Sequence, residues 1–263
     1  MWLIADNLQI TKQYIQKALD NKDAETIQRL IIRCVENGAD AIDINTGPLG
    51  KRADEKMEFF VNTVQKVTDL PLIIDTANPV AIEAGLKCCK NRAIINGFSL
   101  EPHKIEKILP LSKKFDTEIM GYLLTPEGQV PKTSSERIAI ALEIHGKILE
   151  ADIDEKKLII DPVLVPLIWG DGKTQDLDVL EVIRLLPEVL GYDVKTVVGL
   201  SNLTAGGPSG SKGEIVESSF LAMLAASGLT MVLLNIASSH TVRTAKTINK
   251  LMEPGIFSWS DNF

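Results

Sequence analysis

Asp and Asn recur at the ends of short apolar runs along this chain. The stretches are Ala5-Asp6-Asn7, Asp43-Ile44-Asn45-Thr46-Gly47-Pro48, Ile73-Ile74-Asp75-Thr76, Ile94-Ile95-Asn96-Gly97, Ile159-Ile160-Asp161-Pro162, Val198-Gly199-Leu200-Ser201-Asn202 and Leu234-Asn235. Almost no Lys, Arg or His stands among them. Such a set supplies acceptors and amides rather than a phosphate cradle. It suits a neutral polar heterocycle rich in N–H donors. Aminopyrimidine rings of the guanine or pterin type fit, because a carboxylate accepts paired N–H bonds from them.

Each residue alone also has a plainer reading. Asp75 precedes a helical pattern starting near Pro79, and Asp161 precedes Pro162, so both are candidate N-caps. Asn96-Gly97 is a turn signal. Gly47 and Gly199 are plain turns, or places where backbone approaches a flat ring. Number is what favours the chemical reading, provided the fold brings these residues to one mouth.

The elements that must position them follow from the apolar runs. Strand patterns recur at Trp2–Ala5, Ala41–Ile44, Leu72–Ile74, Ala93–Ile95, Glu118–Gly121, Leu158–Ile160, Thr196–Gly199 and Met231–Leu234. Most lack strict alternation, as strands buried on both faces do. Helical patterns lie between them: Ala24–Asn37, Ala53–Val67, Pro79–Cys89, Pro102–Lys114, Ser134–Glu150, Asp176–Leu190, Gly213–Ser227 and Thr241–Leu251. In the first, Ile27, Leu30, Ile31 and Cys34 keep helical spacing and Gly38 is the C-cap candidate. Thr11–Leu19 reads as an extra N-terminal helix. Strand–helix units of about 30 residues, eight times over, predict an α/β fold: a single (β/α)8 TIM barrel. A doubly wound sheet is the alternative, but no GxGxxG or GxxxxGK[ST] occurs. Chemistry in a barrel sits at the C-terminal strand ends, where the Asp and Asn residues stand.

Composition narrows the function further. Of the 263 residues 45% are hydrophobic, enough for a large core. The net charge is −7 and there is no basic block, which argues against a nucleic-acid surface or a polybasic membrane anchor. The apolar stretch Leu221–Ala237 approaches a membrane span, but Gly228 and Thr230 divide it into a helix and a buried strand. Cys34, Cys88 and Cys89 make no disulfide framework, and Met1–Asp6 lacks the pattern of a signal peptide. A cytoplasmic location is the expectation. His103, His145 and His240 lie far apart and in no ligand motif. The chain is therefore expected to bind no metal of its own, and metal chemistry would arrive on a partner.

Four segments together carry a resemblance. They are Asp43–Pro48, Ile74-Asp75-Thr76 followed by Ala81–Asn96, Ile160-Asp161-Pro162, and Gly199-Leu200-Ser201-Asn202. In this order the chain resembles the pterin-binding methyltransferases, above all the methyltetrahydrofolate:corrinoid protein methyltransferases. The dihydropteroate synthases and the folate domain of cobalamin-dependent methionine synthase are more distant. The resemblance implies one pterin-binding barrel domain over residues 1–263, a homodimer, and a tetrahydrofolate site at the C-terminal mouth. By matching motif, Asp75, Asn96 and Asp161 would hold the pterin ring. Asn202 would be the catalytic residue near N5, the nitrogen that carries the methyl group in 5-methyltetrahydrofolate, with Gly199 and Ser201 on the same wall. Asp43 and Asn45 take a supporting role, and Asp6 and Asn235 belong to the same set of strand ends.

A tertiary amine is a poor leaving group, so N5 must be protonated or strongly hydrogen-bonded when the methyl leaves. The Asn202 amide can serve both states by turning, with the proton arriving through water. The implied acceptor or donor is the cobalt of a corrinoid (cobalamin) held by a separate corrinoid protein. Two departures from the family pattern stand out. Its common Gly-Glu-Arg-Ile-Asn at the first strand is Ala5-Asp6-Asn7-Leu8-Gln9 here, so a charge pair is gone. The loop Thr204–Lys212 is rich in Gly and Ser. It reads as a flexible βα loop, or as a lid adapting to the corrinoid partner with Lys212 near the folate tail. The departures suggest the second methyltransferase of a catabolic demethylation system, for methyl ethers or methylamines such as glycine betaine. The alternatives are the corrinoid/iron-sulfur protein methyltransferase of acetyl-CoA synthesis, a dihydropteroate synthase, and a non-catalytic folate-binding component.

Overall fold

Strand side chains alternate between two faces, and in this chain both faces are apolar until the strand ends. A computed structural model describes residues 1–47, 52–207 and 210–259. In chain order the elements are β1 (Trp2–Gln9), α1 (Gln13–Asp20), α2 (Ala24–Glu36), β2 (Ala41–Asn45), α3 (Ala53–Val64), β3 (Leu72–Asp75), α4 (Pro79–Cys88), β4 (Ala93–Phe98), α5 (Pro102–Lys107) and α6 (Leu109–Phe115). They continue with β5 (Glu118–Tyr122), α7 (Ser134–Glu150), β6 (Leu158–Asp161), α8 (Gly172–Leu190), β7 (Lys195–Gly199), α9 (Ser211–Ala226), β8 (Met231–Leu234) and α10 (Ser239–Met252). The strands form a closed barrel in sequence order, all pairs parallel, with β1 returning to β8. This is the (β/α)8 barrel that the strand and helix patterns predict, and α1 is its extra N-terminal helix.

The alternation builds two cores. Ile4, Ala41, Ile73, Ile94, Met120, Ile159, Val197, Met231 and Leu233 pack inside the barrel. Leu3, Ala5, Ile42, Ile44, Leu72, Ile74, Ile95, Ile119, Leu158, Ile160 and Val198 face outward and meet the helices. On the helix side, Ile27, Ile31 and Cys34 form the buried stripe of α2, as their spacing requires. Asp23 caps that helix by accepting from Thr26 N–H, and Thr133 and Glu136 form a capping box on α7.

Some boundaries differ from the pattern reading for local reasons. The stretch expected as one helix over Pro102–Lys114 divides at Ile108, because Pro110 carries no N–H to continue α5 and instead opens α6. β1 runs past Ala5 to Gln9, with a register irregularity between Ala5 and Leu8 that lets Asp6 and Asn7 be buried within it. Leu221–Ala237 divides into the end of α9 and strand β8, as Gly228 and Thr230 predict. Among the described residues no helix is long and apolar enough to cross a membrane.

Candidate active site

The strand period explains why the polar residues meet. Two positions beyond the interior residues Ile4, Ala41, Ile73, Ile94, Met120, Ile159, Val197 and Leu233 come Asp6, Asp43, Asp75, Asn96, Tyr122, Asp161, Gly199 and Asn235. The same strand face that fills the barrel thus turns polar at its C-terminal mouth.

Hydrogen bonds tie these residues together. Asn45 Nδ2 donates to Asp75 Oδ2 at 2.5 Å, while Asn45 Oδ1 accepts from Gly47 N–H at 3.1 Å. Thr46 N–H donates to the Asp75 carbonyl, and Thr76 Oγ1 donates to the Gly47 carbonyl. The Tyr122 hydroxyl donates to Asn96 Oδ1. Val163 N–H donates to Asp161 Oδ1 at 2.8 Å. Asp75 and Asp161 each spend one carboxyl oxygen on the chain and keep the other for an outside donor. Buried Asp43 lies beside Asn96, Asp75 and Asp6, and its Oδ1 has no hydrogen-bond partner among the described residues.

Three of these carboxyls are uncompensated. No cation stands among the described groups acting on Asp43, Asp75 or Asp161. Burial pushes Asp75 and Asp161 up to about 7. Burial, with Asp75 and Asp6 as neighbours, holds Asp43 well above the usual carboxylate range. Burial and the surrounding Asp75, Asp161 and Asp43 raise the Tyr122 phenol too. Asp6 reaches about 6: burial raises it, Lys12 opposes, and Ser201 hydrogen-bonds it. Such carboxyls are poised to accept N–H donors from a neutral ring, which would return them to the ionised form.

The remaining wall comes from β7 and β8. β7 runs directly into a single 3-10 turn, Leu200–Asn202, which leaves Ser201 and Asn202 exposed. A Cβ at Gly199 would lie 3.3 Å from Asn202 Nδ2, so glycine lets this amide sit close over the strand end. Asn7 Nδ2 donates to Asn235 Oδ1 at 2.7 Å, and Asn7 Oδ1 accepts from Ile236 N–H, closing the seam between β1 and β8.

The family described as pterin binding enzyme matches residues 8–235. The chain belongs to that family. Methylcorrinoid:tetrahydrofolate methyltransferase of Eubacterium limosum is 25% identical over 211 residues, covering 80% of this chain and 76% of that protein. Methionine synthase of Mycobacterium tuberculosis is 23% identical over 178 residues, which are 65% of this chain but only 15% of that protein. Among solved structures, dihydropteroate synthase from Xanthomonas albilineans superposes with a TM-score of 0.67 at 18% identity, covering 95% of this chain and 92% of that one. The Yersinia pestis enzyme gives 0.65 at 16% identity, covering 94% and 92%. At such identities these structures speak to the fold alone.

In this pterin-binding enzyme the plainer readings of single residues give way to others. The N-cap of α4 is Asn78, which accepts from Val80 and Ala81 N–H, so Asp75 is free of that duty. Asp161 bonds two residues on, far ahead of α8, whose N-cap position is Asp171. Asn96 and Gly97 both lie inside β4 rather than in a turn. Lys212 stands exposed in the first turn of α9 and takes no part in the contacts above. Pro48 of the β2 motif, and Pro208 and Ser209 of the Gly/Ser-rich loop, lie outside the described residues. Asn7, from the stretch Ala5-Asp6-Asn7, joins the site as that motif predicts, whereas Tyr122 is a member that the Asp and Asn motifs do not reveal. For Tyr122 the available signal was its place two residues after the interior Met120. Among the described residues no group of three or more His, Cys, Asp and Glu is arranged to hold a metal ion.

Proposed function

We propose that this chain is a methyltransferase that moves a methyl group between N5 of tetrahydrofolate and the corrinoid of a partner protein. The observation that carries the reading is the pair Asp75 and Asp161 around Asn96, each with one carboxyl oxygen uncommitted and no cation acting on it among the described groups. Such acceptors fit the N–H edge of a pterin. The name of the Eubacterium relative supports the choice of reaction.

Asp75, Asn96 and Asp161 would hold the ring, with Asn45 orienting Asp75 and Tyr122 orienting the Asn96 amide. Asn202, exposed on its turn beside Gly199, would hydrogen-bond N5 and follow its change of charge by turning its amide. Asp43 and Asp6 are carboxyls able to hold a proton near neutral pH in the same mouth. The corrinoid, presented by its own protein at the open mouth, supplies a cobalt centre that takes or gives the methyl group. Transfer toward tetrahydrofolate in a catabolic demethylation system, for methyl ethers or methylamines, is the role we favour. The lost charge pair at Asp6-Asn7 supports it. A dihydropteroate synthase would need basic groups for a diphosphate, and the described strand ends carry acids and amides, with Lys12 set against Asp6 and the Asn7 carbonyl.

The test is a spectroscopic assay with methylcobalamin and tetrahydrofolate, following loss of the methylcobalamin spectrum and formation of 5-methyltetrahydrofolate. No turnover with free or protein-bound methylcobamide, despite folate binding, would overturn the reading. Asn202→Ala should keep its pterin affinity and lose about a hundredfold in kcat. Asp75→Ala and Asp161→Ala should instead weaken binding about tenfold or more. Equal loss of affinity in all three would contradict this division of roles.

A further inference from the structure

A buried charged cluster lies behind the segment that follows Asp161, and the site described above makes no use of it. Arg137 on α7 is 0% exposed, as is Asp176 on α8. Arg137 Nε donates to the Pro162 carbonyl at 3.1 Å, and Nη1 donates to the Gln175 carbonyl at 3.1 Å. Asp176 Oδ1 accepts from Val165 N–H at 2.9 Å. Between these anchors Val163 takes φ 63°, a left-handed conformation unfavourable for a β-branched residue, and gives its N–H to Asp161 Oδ1. Three backbone groups after Asp161 thus end on three side chains: Pro162 on Arg137, Val163 on Asp161, and Val165 on Asp176.

Stability alone does not call for this arrangement. Buried charges carry a desolvation cost, and well-packed apolar side chains of similar volume often serve as well. Arg137 Nη2, Asp176 Oδ2 and Gln175 Oε1 have no hydrogen-bond partner among the described residues, which adds to the cost. What the cluster does achieve is a fixed path for residues 162–165, including a backbone conformation that this sequence would otherwise leave.

We infer that Arg137 and Asp176 are positioning residues for Asp161, holding the segment that locks one carboxyl oxygen and leaves the other facing the mouth. The inference rests on the reading of Asp161 as a pterin ligand. It acts through geometry: loosening Pro162 or Val165 frees Val163 to leave its conformation, and Asp161 then loses the N–H that orients it.

The experiment compares tetrahydrofolate binding by calorimetry in the full chain for wild type, Arg137→Met, Arg137→Lys, Asp161→Asn and the double variant Arg137→Met/Asp161→Asn. Met keeps the packing of the stem and removes the donors. Arg137→Met should raise Kd about tenfold, and Arg137→Lys, which can still donate to Pro162, should recover most of that loss. In the Asp161→Asn background Arg137→Met should add less than about twofold, because the residue it positions is already changed. A folded Arg137→Met that binds as wild type overturns the inference. So does one that loses the same factor with and without Asp161, since a merely structural role would be additive. Should Arg137→Met fail to fold, Asp176→Leu, which removes the acceptor for Val165 N–H, and its double variant with Asp161→Asn carry the same comparison, with the same two outcomes against it. If wild type itself binds no tetrahydrofolate, the pterin reading fails. If wild type binds, Asp161→Asn weakens it and the Arg137 and Asp176 variants do not, only the positioning role fails.

Discussion

At the N-terminal end of the barrel, Glu118 pairs with both Arg92 and Lys195, and Arg92 lies over the ring of Trp2 at 5.1 Å from its centroid. Four residues along β5 from Glu118 stands Tyr122, in a mouth where Asp43, Asp75 and Asp161 have no cation beside them. The two ends share the same strands and interior packing. They differ in compensation. Charges at the bottom are matched by partners within the chain and contribute to holding the barrel closed. Asp43, Asp75 and Asp161 at the mouth are buried without a cation, which a folded chain tolerates when a ligand supplies the missing donors.

The largest effect expected from this contrast is on stability against pH. Asp161 titrates near 3.8 in its ordinary state and at about 7 when folded, because burial disfavours its charge. Below about pH 3 both states hold the proton and the group costs nothing. As pH rises toward 7 the unfolded chain releases its proton first, so the folded state loses stability through that window. The full cost is reached above pH 7 and has an upper limit of about 4 kcal/mol for a shift of about three units. Asp161→Asn keeps an acceptor for Val163 and removes the titration. In urea unfolding it should match wild type near pH 3 and exceed it in stability near pH 8. A variant no more stable than wild type at the higher pH would break the contrast. The ligand should reverse the sign: N–H donors favour the carboxylate, so pterin affinity should rise with pH up to about 7 and then level off.

A smaller effect, of the opposite kind, belongs to the packed interior two residues away. Ile73 is fully buried in the inner layer and precedes Asp75 on the same face of β3. Ile73→Ala removes contacts that no loop can refill and should cost about 3 kcal/mol. That loss should be equal at low and high pH, since no proton is involved. Unfolding curves at both pH values distinguish it from Asp161→Asn. A pH-dependent loss would mean that interior packing and mouth carboxyls are not separable layers.

How much of this could be read from the sequence depends on whether the signal was local. The barrel was legible because apolar runs such as Leu72–Ile74 and Leu158–Ile160 are each followed by a carboxylate, and a strand end is a local feature. Asp75, Asn96 and Asp161 were legible as candidates for the same reason. Tyr122 was not, because Glu118-Ile-Met-Gly-Tyr ends in a residue at home in any strand, and only its parity with Met120 places it in the mouth. Arg137 was hidden more deeply. In a helix beginning Ser-Ser-Glu-Arg it looks like a solvated charge, and its partner carbonyl on Pro162 lies 25 residues away. Asp75 read equally well as a helix cap until Asn78, closer to Pro79, took that position.

The smallest effect tests the bottom of the barrel directly. Glu118 is nearly buried, its side chain 10% exposed, while Arg92 and Lys195 are about half exposed at 48% and 42%. Glu118→Gln leaves a side chain of the same shape that can still accept a hydrogen bond, but two ion pairs lose their anion. Water already screens both cations, so the loss should be about 1 kcal/mol or less. For a chain of this size that is a fall in Tm of about 2–4 °C. High salt should shrink the difference between variant and wild type, because part of it is long-range attraction between exposed charges. Tetrahydrofolate affinity should stay at the wild-type value, since the substitution lies at the opposite strand ends from Asp75 and Asp161. A Glu118→Gln protein with normal Tm and weakened folate binding would show that the two ends are coupled through the strands, and that compensation at the bottom helps to hold the uncompensated mouth in shape.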